Sequence, residues 1–538
     1  MSQLNDSGEA RPRSETIVGA AAMASLLAVI SKLLGFAREA AMAAVFGASA
    51  STDAYFVAQN IPTVLFSVVG SALTAVAVPV FVEYRSGGKH HEFERLVWSS
   101  GNLVLLGSAL LSAVGILFAE PLTRLVAPGF ASEAVATAKS LAQIMMFLIM
   151  FQALSGWATG VLNAHQHFLA PAAVGLPLNM ICILGILLAS TNQNIHLVAW
   201  ATLIGGASQF FIQIPPLHRQ LQHYRWLLDF SHPGLRKMAR LGVPVIVGVS
   251  CNQVNILIDR MLASGLEPGS ISALSYAQRV LQLPYGLLAA PILMVLYPSL
   301  ANYASSEDWV GLRRALNRGL TSLALLFVPV TVGMLVLRVP LIRFLFERGA
   351  FDSSDTARTS IAFLFYGSSL LFIVWRDYLI RVCYVMNDSR TPMWTALVST
   401  LLSIVLNLVL VGRYGIAALA FATALASMIA SLLLLVRVRY SLESIDGSRL
   451  LLEFIKIAAS SAVMGLVLIA VRTADPLGLL NLAAGNGAMA NFIRLGLGII
   501  LSSLLGGLLF TVVGLLMRIQ DMQYVRTFAQ HLFRRCSW

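Results

Sequence analysis

Runs of about twenty apolar residues recur along this chain from near its start to near its end, and that recurrence limits what it can fold into. A helix needs about 20 such residues to cross the hydrocarbon core of a bilayer. Lipid offers no hydrogen bonds to a bare backbone, so the helix is the form that such runs take there. Fourteen spans are read, at residues 17–37, 54–82, 97–119, 138–162, 171–190, 196–216, 241–262, 271–298, 319–338, 358–384, 393–412, 415–437, 452–472 and 493–517. Between them no stretch is long enough for a separate soluble domain. Only 12% of the 538 residues are charged, about half the share of a soluble globular chain. A soluble enzyme, a disordered chain and a secreted disulfide scaffold are thereby excluded. The fold class expected is all-α, a polytopic membrane protein.

An even number of spans puts both termini on one side. With the termini inside, the inner loops hold about twice as many Lys and Arg as the outer ones. Arg11, Arg85, Lys89, Arg236, Arg314 and Arg518 are among the inner set; Arg124, Lys139, Arg343, Arg348 and Arg413 are among the outer. The excess marks the cytoplasmic side, so both termini are expected there. The net charge of +12 is spread too thinly to signify nucleic acid. Cys182, Cys251, Cys383 and Cys536 have no metal or redox spacing, and the first three sit in apolar segments as small buried thiols do.

The chain also echoes itself at an offset of about 220 residues. Ala54–Tyr55–Phe56–Val57–Ala58–Gln59 is answered by Ala273–Leu274–Ser275–Tyr276–Ala277–Gln278, and Pro171 by Pro392. Parallel repeats about an axis along the membrane normal are a transporter architecture. The division expected is a tail at 1–16, an N-lobe of six helices at 17–216, a linker at 217–240, a C-lobe of six at 241–437, two added helices within 438–517 and a tail at 518–538.

Charge inside a span costs at least about 2.5–3.5 kcal/mol, so it faces a cavity, a partner or the interface. Lys32 and Arg38 end the first span. Six residues turn a helix by roughly 600°, so the two do not share one narrow face; they line one cavity if Gly35 bends the helix between them. Asp53 opens the second span, where capping that helix is the alternative role. Asp259 ends the seventh, Arg279 lies inside the eighth, and Arg376 and Asp377 are adjacent in the tenth. The interior surplus is cationic. It suits an anionic ligand, best a pyrophosphate, because arginine and lysine both bind phosphate oxygens. His90 and His91 beside Glu92 and Glu94 are read as a solvated loop, not a metal site. The sequence has no P-loop, no His-Glu-x-x-His and no Gly-x-Ser-x-Gly. No enzymatic activity is expected, and transport must draw on a gradient or the membrane potential.

Several strings together resemble one family, the MurJ (MviN) lipid II flippases of the multidrug/oligosaccharidyl-lipid/polysaccharide exporter superfamily. They are Lys32–Leu33–Leu34–Gly35–Phe36–Ala37–Arg38–Glu39, Phe46–Gly47, Thr52–Asp53–Ala54–Tyr55–Phe56–Val57–Ala58, Ala127–Pro128–Gly129–Phe130, Gly160–Val161–Leu162–Asn163–Ala164, Tyr276–Ala277–Gln278–Arg279, Tyr297–Pro298–Ser299–Leu300, Leu345–Phe346–Glu347–Arg348–Gly349–Ala350–Phe351 and Arg390–Thr391–Pro392. Their order and spacing cover nearly the whole chain.

The resemblance implies two six-helix lobes around a cationic cavity, with helices thirteen and fourteen forming a groove for a lipid tail. It implies a monomer in the bacterial inner membrane that flips lipid II outward by alternating access. Partners implied are lipid II, membrane lipids and the cell-wall synthesis machinery. By position, Arg38 and Arg279 match cavity arginines that hold the pyrophosphate. Ser31 and Lys32 match a Ser-Arg pair, so the charge is kept and the bidentate fork lost. Glu39 matches an acidic neighbour of the cavity arginine and Asp53 a gate aspartate. A sodium site of some relatives falls at Asp259, Asn407 and Thr423, with Na⁺ as the coupling ion and no other cofactor. The departure is Phe66, where relatives often carry arginine. It keeps open a second cargo, such as an O-antigen or capsule unit on undecaprenyl. A cation-coupled drug exporter would instead call for acidic cavity residues.

Overall fold

The computed structural model describes residues 12–87, 90–221, 224–442, 446–475, 478–480, 488–519 and 522. Arg11, Lys89, Cys536, residues 1–11 of the first expected tail and nearly all of the last lie outside the described residues. Those described form helices and connecting turns, with no strand among them.

The helices are α1 (Pro12–Phe46), α2 (Ala50–Ser86), α3 (His90–Leu117), α4 (Ala119–Val126), α5 (Ser132–Met145), α6 (Phe147–Ala164), α7 (Leu169–Ala173), α8 (Gly175–Ala189), α9 (Ile195–Phe211), α10 (Ile214–Gln220) and α11 (Pro233–Ser264). Then follow α12 (Ser270–Pro284), a π-helical turn (Tyr285–Ala289), α13 (Ala290–Ser305), α14 (Trp309–Val336), α15 (Arg338–Phe346), α16 (Ser353–Ser368), α17 (Leu370–Val385), α18 (Arg390–Tyr414), α19 (Ile416–Ser441), α20 (Gly447–Ala474) and α21 (Ala488–Leu516).

Eleven stretches among the described residues are long and apolar enough to cross a membrane, from His91–Leu117 to Ala490–Leu516. Each overlaps one expected span. The expected spans at 17–37, 54–82 and 241–262 coincide with α1, α2 and α11, long helices that are not among the eleven. Outward faces are apolar: Leu466, Leu504 and Leu508 are each about two-thirds exposed. In water such faces would drive association, whereas acyl chains solvate them. His91, Glu92 and Glu94 belong to the first turns of α3 and not to a loop.

The chain divides into two compact units, Met1–Ser272 and Ala273–Trp538. The first therefore includes α11, the helix that the repeat assigns to the C-lobe, because α11 packs along α2 and touches α3 and α4. Within this unit, Phe81, Phe93, Leu96, Trp98, Trp157 and Val161 form a buried core between α2, α3 and α6. Small residues bring other helices close. A Cβ on Gly175 would fall 1.8 Å from Ser31 Oγ, and Asn179 Nδ2 donates to Ser31 O at 3.1 Å, so α8 lies directly on α1. Helix α1 continues through Gly35 without a break in its helical assignment.

Described residues of the expected linker bond to α3. Asn102 Nδ2 donates to Arg225 O and Leu227 O at 3.1 and 3.0 Å, and Tyr224 Oη donates to Asn102 Oδ1 at 2.9 Å. Arg95 pairs with Asp229 at 3.0 Å. The Ala127–Pro128–Gly129–Phe130 turn docks on the end of α11: Gly129 N donates to Ser264 Oγ at 3.1 Å, and a Cβ on Gly129 would meet Gly265 Cα at 2.5 Å.

In the second unit α19 packs against α16, α17 and α18, and α20 packs against α14 and α21. Cys383 is a buried free thiol here, as Cys182 is in the first unit. Before α18, Asp388 accepts from Thr391 N at 3.0 Å and from Thr391 Oγ1 at 2.5 Å, closing the open amides of that helix start.

Two tests follow from this packing. Gly129→Ala forces backbone apart at the α11 end and is expected to cost about 1–3 kcal/mol, read as a lower unfolding temperature in detergent. The hydrogen bonds from Thr391 hold the Asp388 carboxyl below its ordinary range. Its contribution to stability is thus present above roughly pH 4 and fades as the pH falls below that. The gap in unfolding temperature between the native chain and Asp388→Ala is expected to narrow from pH 6 to pH 3; a constant gap would contradict the assignment.

Candidate functional site

The expected cationic residues divide between the two units, and each unit is described on its own. In the first, α1 carries Arg38 and Glu39. Arg38 Nη2 donates to Glu39 Oε1 at 2.8 Å, with the two side chains 15% and 5% exposed. Neighbours on one helix rarely meet, because successive side chains diverge by about 100°. Here burial leaves each charge the other as its nearest relief. Tyr55 of α2 and Cys182 of α8 lie in the field of Arg38, and Tyr55 Oη is bonded to Thr202 Oγ1 of α9 at 2.8 Å. The pair thus sits where α1, α2, α8 and α9 come together. Lys32 is exposed, on a different face from the half-buried Arg38, as the six-residue spacing predicts. Ser31 is half-buried in the α1–α8 contact, its carbonyl accepting from Asn179.

Asp53 does not cap its own helix. Ser49 is the N-cap of α2, its Oγ accepting from Thr52 N. The buried Asp53 carboxylate instead accepts from Gly269 N at 2.7 Å, Ser272 N at 2.7 Å and Ser272 Oγ at 2.5 Å. Three donors on one carboxylate make a strong charge-assisted anchor, and its charge suits the positive end of a helix. Arg260 Nη1 donates to Ile271 O beside it, at 3.1 Å. The signal available in the sequence was Pro268–Gly269–Ser270–Ile271–Ser272, a helix-start pattern beyond the end of span seven, but nothing in it named Asp53 as the acceptor.

In the second unit Arg279 is half-buried on α12, with Nη1 3.4 Å from Gln282 Oε1. One feature here escaped the sequence reading. The π-helical turn after Pro284 presents Tyr285, whose Oη donates to Asp377 Oδ2 at 2.5 Å. Arg376 Nε and Nη2 both donate to Asp377 Oδ1 at 3.1 Å. Arg376 and Asp377 were visible as a misplaced charge pair; the phenol that bonds Asp377 was not.

Of the expected sodium ligands, Asp259 is half-buried in the first unit. Asn407 and Thr423 belong to the second, Asn407 fully buried and Thr423 Oγ1 donating to Leu419 O at 3.0 Å. Among the described residues, no group of three or more His, Cys, Asp or Glu is placed to hold a metal ion. Phe66 lies over Gly70, where a Cβ would meet its ring at 2.3 Å. It helps line an apolar cavity of about 640 Å³ among α2, α3, α6 and α11.

Known proteins share this chain's sequence pattern and fold. A family model described as "Lipid II flippase MurJ" matches residues 42–482. The curated lipid II flippase MurJ of Burkholderia cenocepacia is 30% identical over 421 residues, 76% of this chain and 81% of that protein. A probable lipid II flippase MurJ of Buchnera aphidicola subsp. Baizongia pistaciae is 30% identical over 450 residues, 82% of this chain and 88% of its own. A solved structure described as lipid II flippase MurJ in an inward closed conformation superposes with a TM-score of 0.74 at 26% identity, covering 90% of this chain and 98% of that one. An inward-facing multidrug-resistance transporter of the MATE family shares the fold, with a TM-score of 0.66 at 13% identity, covering 78% and 96%. A multi-pass helical chain carrying these strings in this order, and matched over most of its length, belongs to the lipid II flippase MurJ family.

Proposed function

We propose that this protein is a lipid II flippase. It moves the undecaprenyl-pyrophosphate-linked peptidoglycan precursor from the inner to the outer leaflet of the bacterial cytoplasmic membrane. The observation that carries the reading is the match to the lipid II flippase MurJ family over residues 42–482. A half-buried, paired arginine, Arg38, in the first of the resembling strings and ahead of that match, supports it. Carrying two phosphate charges and a sugar through hydrocarbon unaided is prohibitive. A polar path open alternately to each side removes that barrier. No bond of the cargo is made or broken.

In this reading Arg38 and Arg279 hold the pyrophosphate, with Ser31 and Lys32 completing the contact. Glu39 keeps Arg38 neutralised and oriented when no phosphate is bound, so that an arriving anion exchanges one charged partner for another. That exchange costs far less than stripping an isolated charge. Asp53 is the gate residue, and its three donors give it a defined closed arrangement to leave. Both termini face the cytoplasm, helices α20 and α21 receive the lipid tail, and Na⁺ at Asp259, Asn407 and Thr423 resets the cycle. Phe66, an aromatic ring where relatives often carry arginine, favours a second reading with a different undecaprenyl-linked glycan as cargo. Lipid II export and export of that glycan, measured side by side, separate the two.

Arg38→Ala and Arg279→Ala each remove charge-assisted phosphate contacts. Each is expected to lower outward exposure of lipid II roughly ten- to a hundredfold in cells lacking another flippase, with the protein still present in the membrane. Unchanged exposure in both variants would reject the phosphate cradle. Asp259→Asn is expected to abolish any sodium dependence of transport while leaving sodium-free transport unchanged; an unaltered sodium response would remove Asp259 from the ion's path.

A further inference from the structure

We propose that the second unit carries a separate binding site for a phosphate-bearing lipid headgroup, built by Arg381 with Tyr297 and Tyr384 and positioned by the Tyr285–Asp377–Arg376 cluster. These residues surround or support a cavity of about 380 Å³ between α13 and α17, within the range of small-ligand sites.

The charge arithmetic decides the ligand's sign. Asp377 is fully engaged: one oxygen accepts from Tyr285 and the other accepts two N–H groups of Arg376. Asp377 also lines the cavity, so one carboxylate charge there stands against the two guanidinium charges of Arg376 and Arg381. Arg381, one turn on, donates Nη1 to Asp377 O at 2.9 Å. That single bond fixes its position and uses one of five N–H donors. The site keeps one positive charge with forked donors, which is the arrangement that takes a phosphate.

The setting points to a lipid. Tyr297 and Tyr384, 41% and 51% exposed, flank the cavity. Tyrosines with an apolar body and a polar tip collect at the level of lipid headgroups. In the orientation expected from the loop charges, Arg381 and Tyr384 lie at the cytoplasmic end of their span. The π-helical turn is the local device that delivers Tyr285, and such turns often mark functional positions. The phosphate belongs either to a resident anionic phospholipid or to a polyprenyl pyrophosphate arriving from the inner leaflet. The site does not require the cargo to be lipid II.

The test is native mass spectrometry of the full chain in detergent. Phosphatidylglycerol, phosphatidylethanolamine, undecaprenyl pyrophosphate and inorganic pyrophosphate are added separately to the native protein, Arg381→Gln and Arg381→Lys. The proposal expects at least about tenfold weaker binding of an anionic lipid to Arg381→Gln and partial retention by Arg381→Lys, with Arg358→Gln, a half-buried arginine of α16 paired with Asp355, as a control that binds normally. Loss confined to phosphatidylglycerol identifies a resident phospholipid. Loss confined to undecaprenyl pyrophosphate, with or without inorganic pyrophosphate, identifies a loading site. Equal binding of every probe to native and Arg381→Gln protein overturns the proposal. If Arg381→Gln does not accumulate, Arg381→Lys decides alone: affinity identical to native, with no preference of either protein for anionic over zwitterionic lipid, also overturns it. Arg381→Gln compared with native protein reports on this site, whereas lipid II export by Arg38→Ala reports on the cradle of the first unit, so the two readings fail separately.

Discussion

A charge in hydrocarbon must bring its own solvent, and several ionic groups of this protein follow that demand. Arg38 has Glu39, Arg376 has Asp377, Lys456 has Glu453 at 2.8 Å, and Arg343 has Glu347 at 3.1 Å. Where a carboxylate has further capacity, hydroxyls and amides complete the shell: Tyr285 on Asp377, Thr356 on Glu347, and Ser272 with Gly269 on Asp53. Helices in lipid gain little from burying apolar surface against each other. The polar anchors and the small-residue contacts therefore do much of the work of fixing which helix lies against which. The site residues are drawn from the same stock of anchors. A residue such as Arg38 is both an element of packing and a group able to change partners.

The spans were legible because hydropathy acts locally: twenty apolar residues specify a helix without reference to the rest of the chain. The interior charges were legible for the same reason, since each violates a local rule. What the sequence hid was pairing over distance. Asp53 and Ser272 are 219 residues apart, and Tyr285 and Asp377 are 92 apart; no periodicity connects them. The π-helical turn that aims Tyr285 was marked only by a proline within a span. Gly35, between two charges, lies within helix α1, and Asn179 comes to 3.6 Å of where its Cβ would stand, an ordinary contact distance.

Family membership and physical reading meet at different strengths along the chain. Strings that carry the resemblance turn out to be contact points: Gly129 presses on Gly265, Tyr55 bonds Thr202, and Asp53 closes a helix start. Phe66 departs from the pattern and does something else, lying over Gly70 at the wall of an apolar cavity. A ring there brings no charge to be satisfied, which a cationic side chain would.

Two of the bonds that hold the segment between α10 and α11 are made to its carbonyls. Asn102 reads the main chain at Arg225 and Leu227, and reads a side chain only at Tyr224. A main-chain carbonyl is the same whatever residue bears it, so this stretch is free to drift in composition at those two places. Its length is another matter. One residue inserted or removed would shift both carbonyls out of register with a single fixed amide, so evolution here is expected to exchange letters while conserving the count.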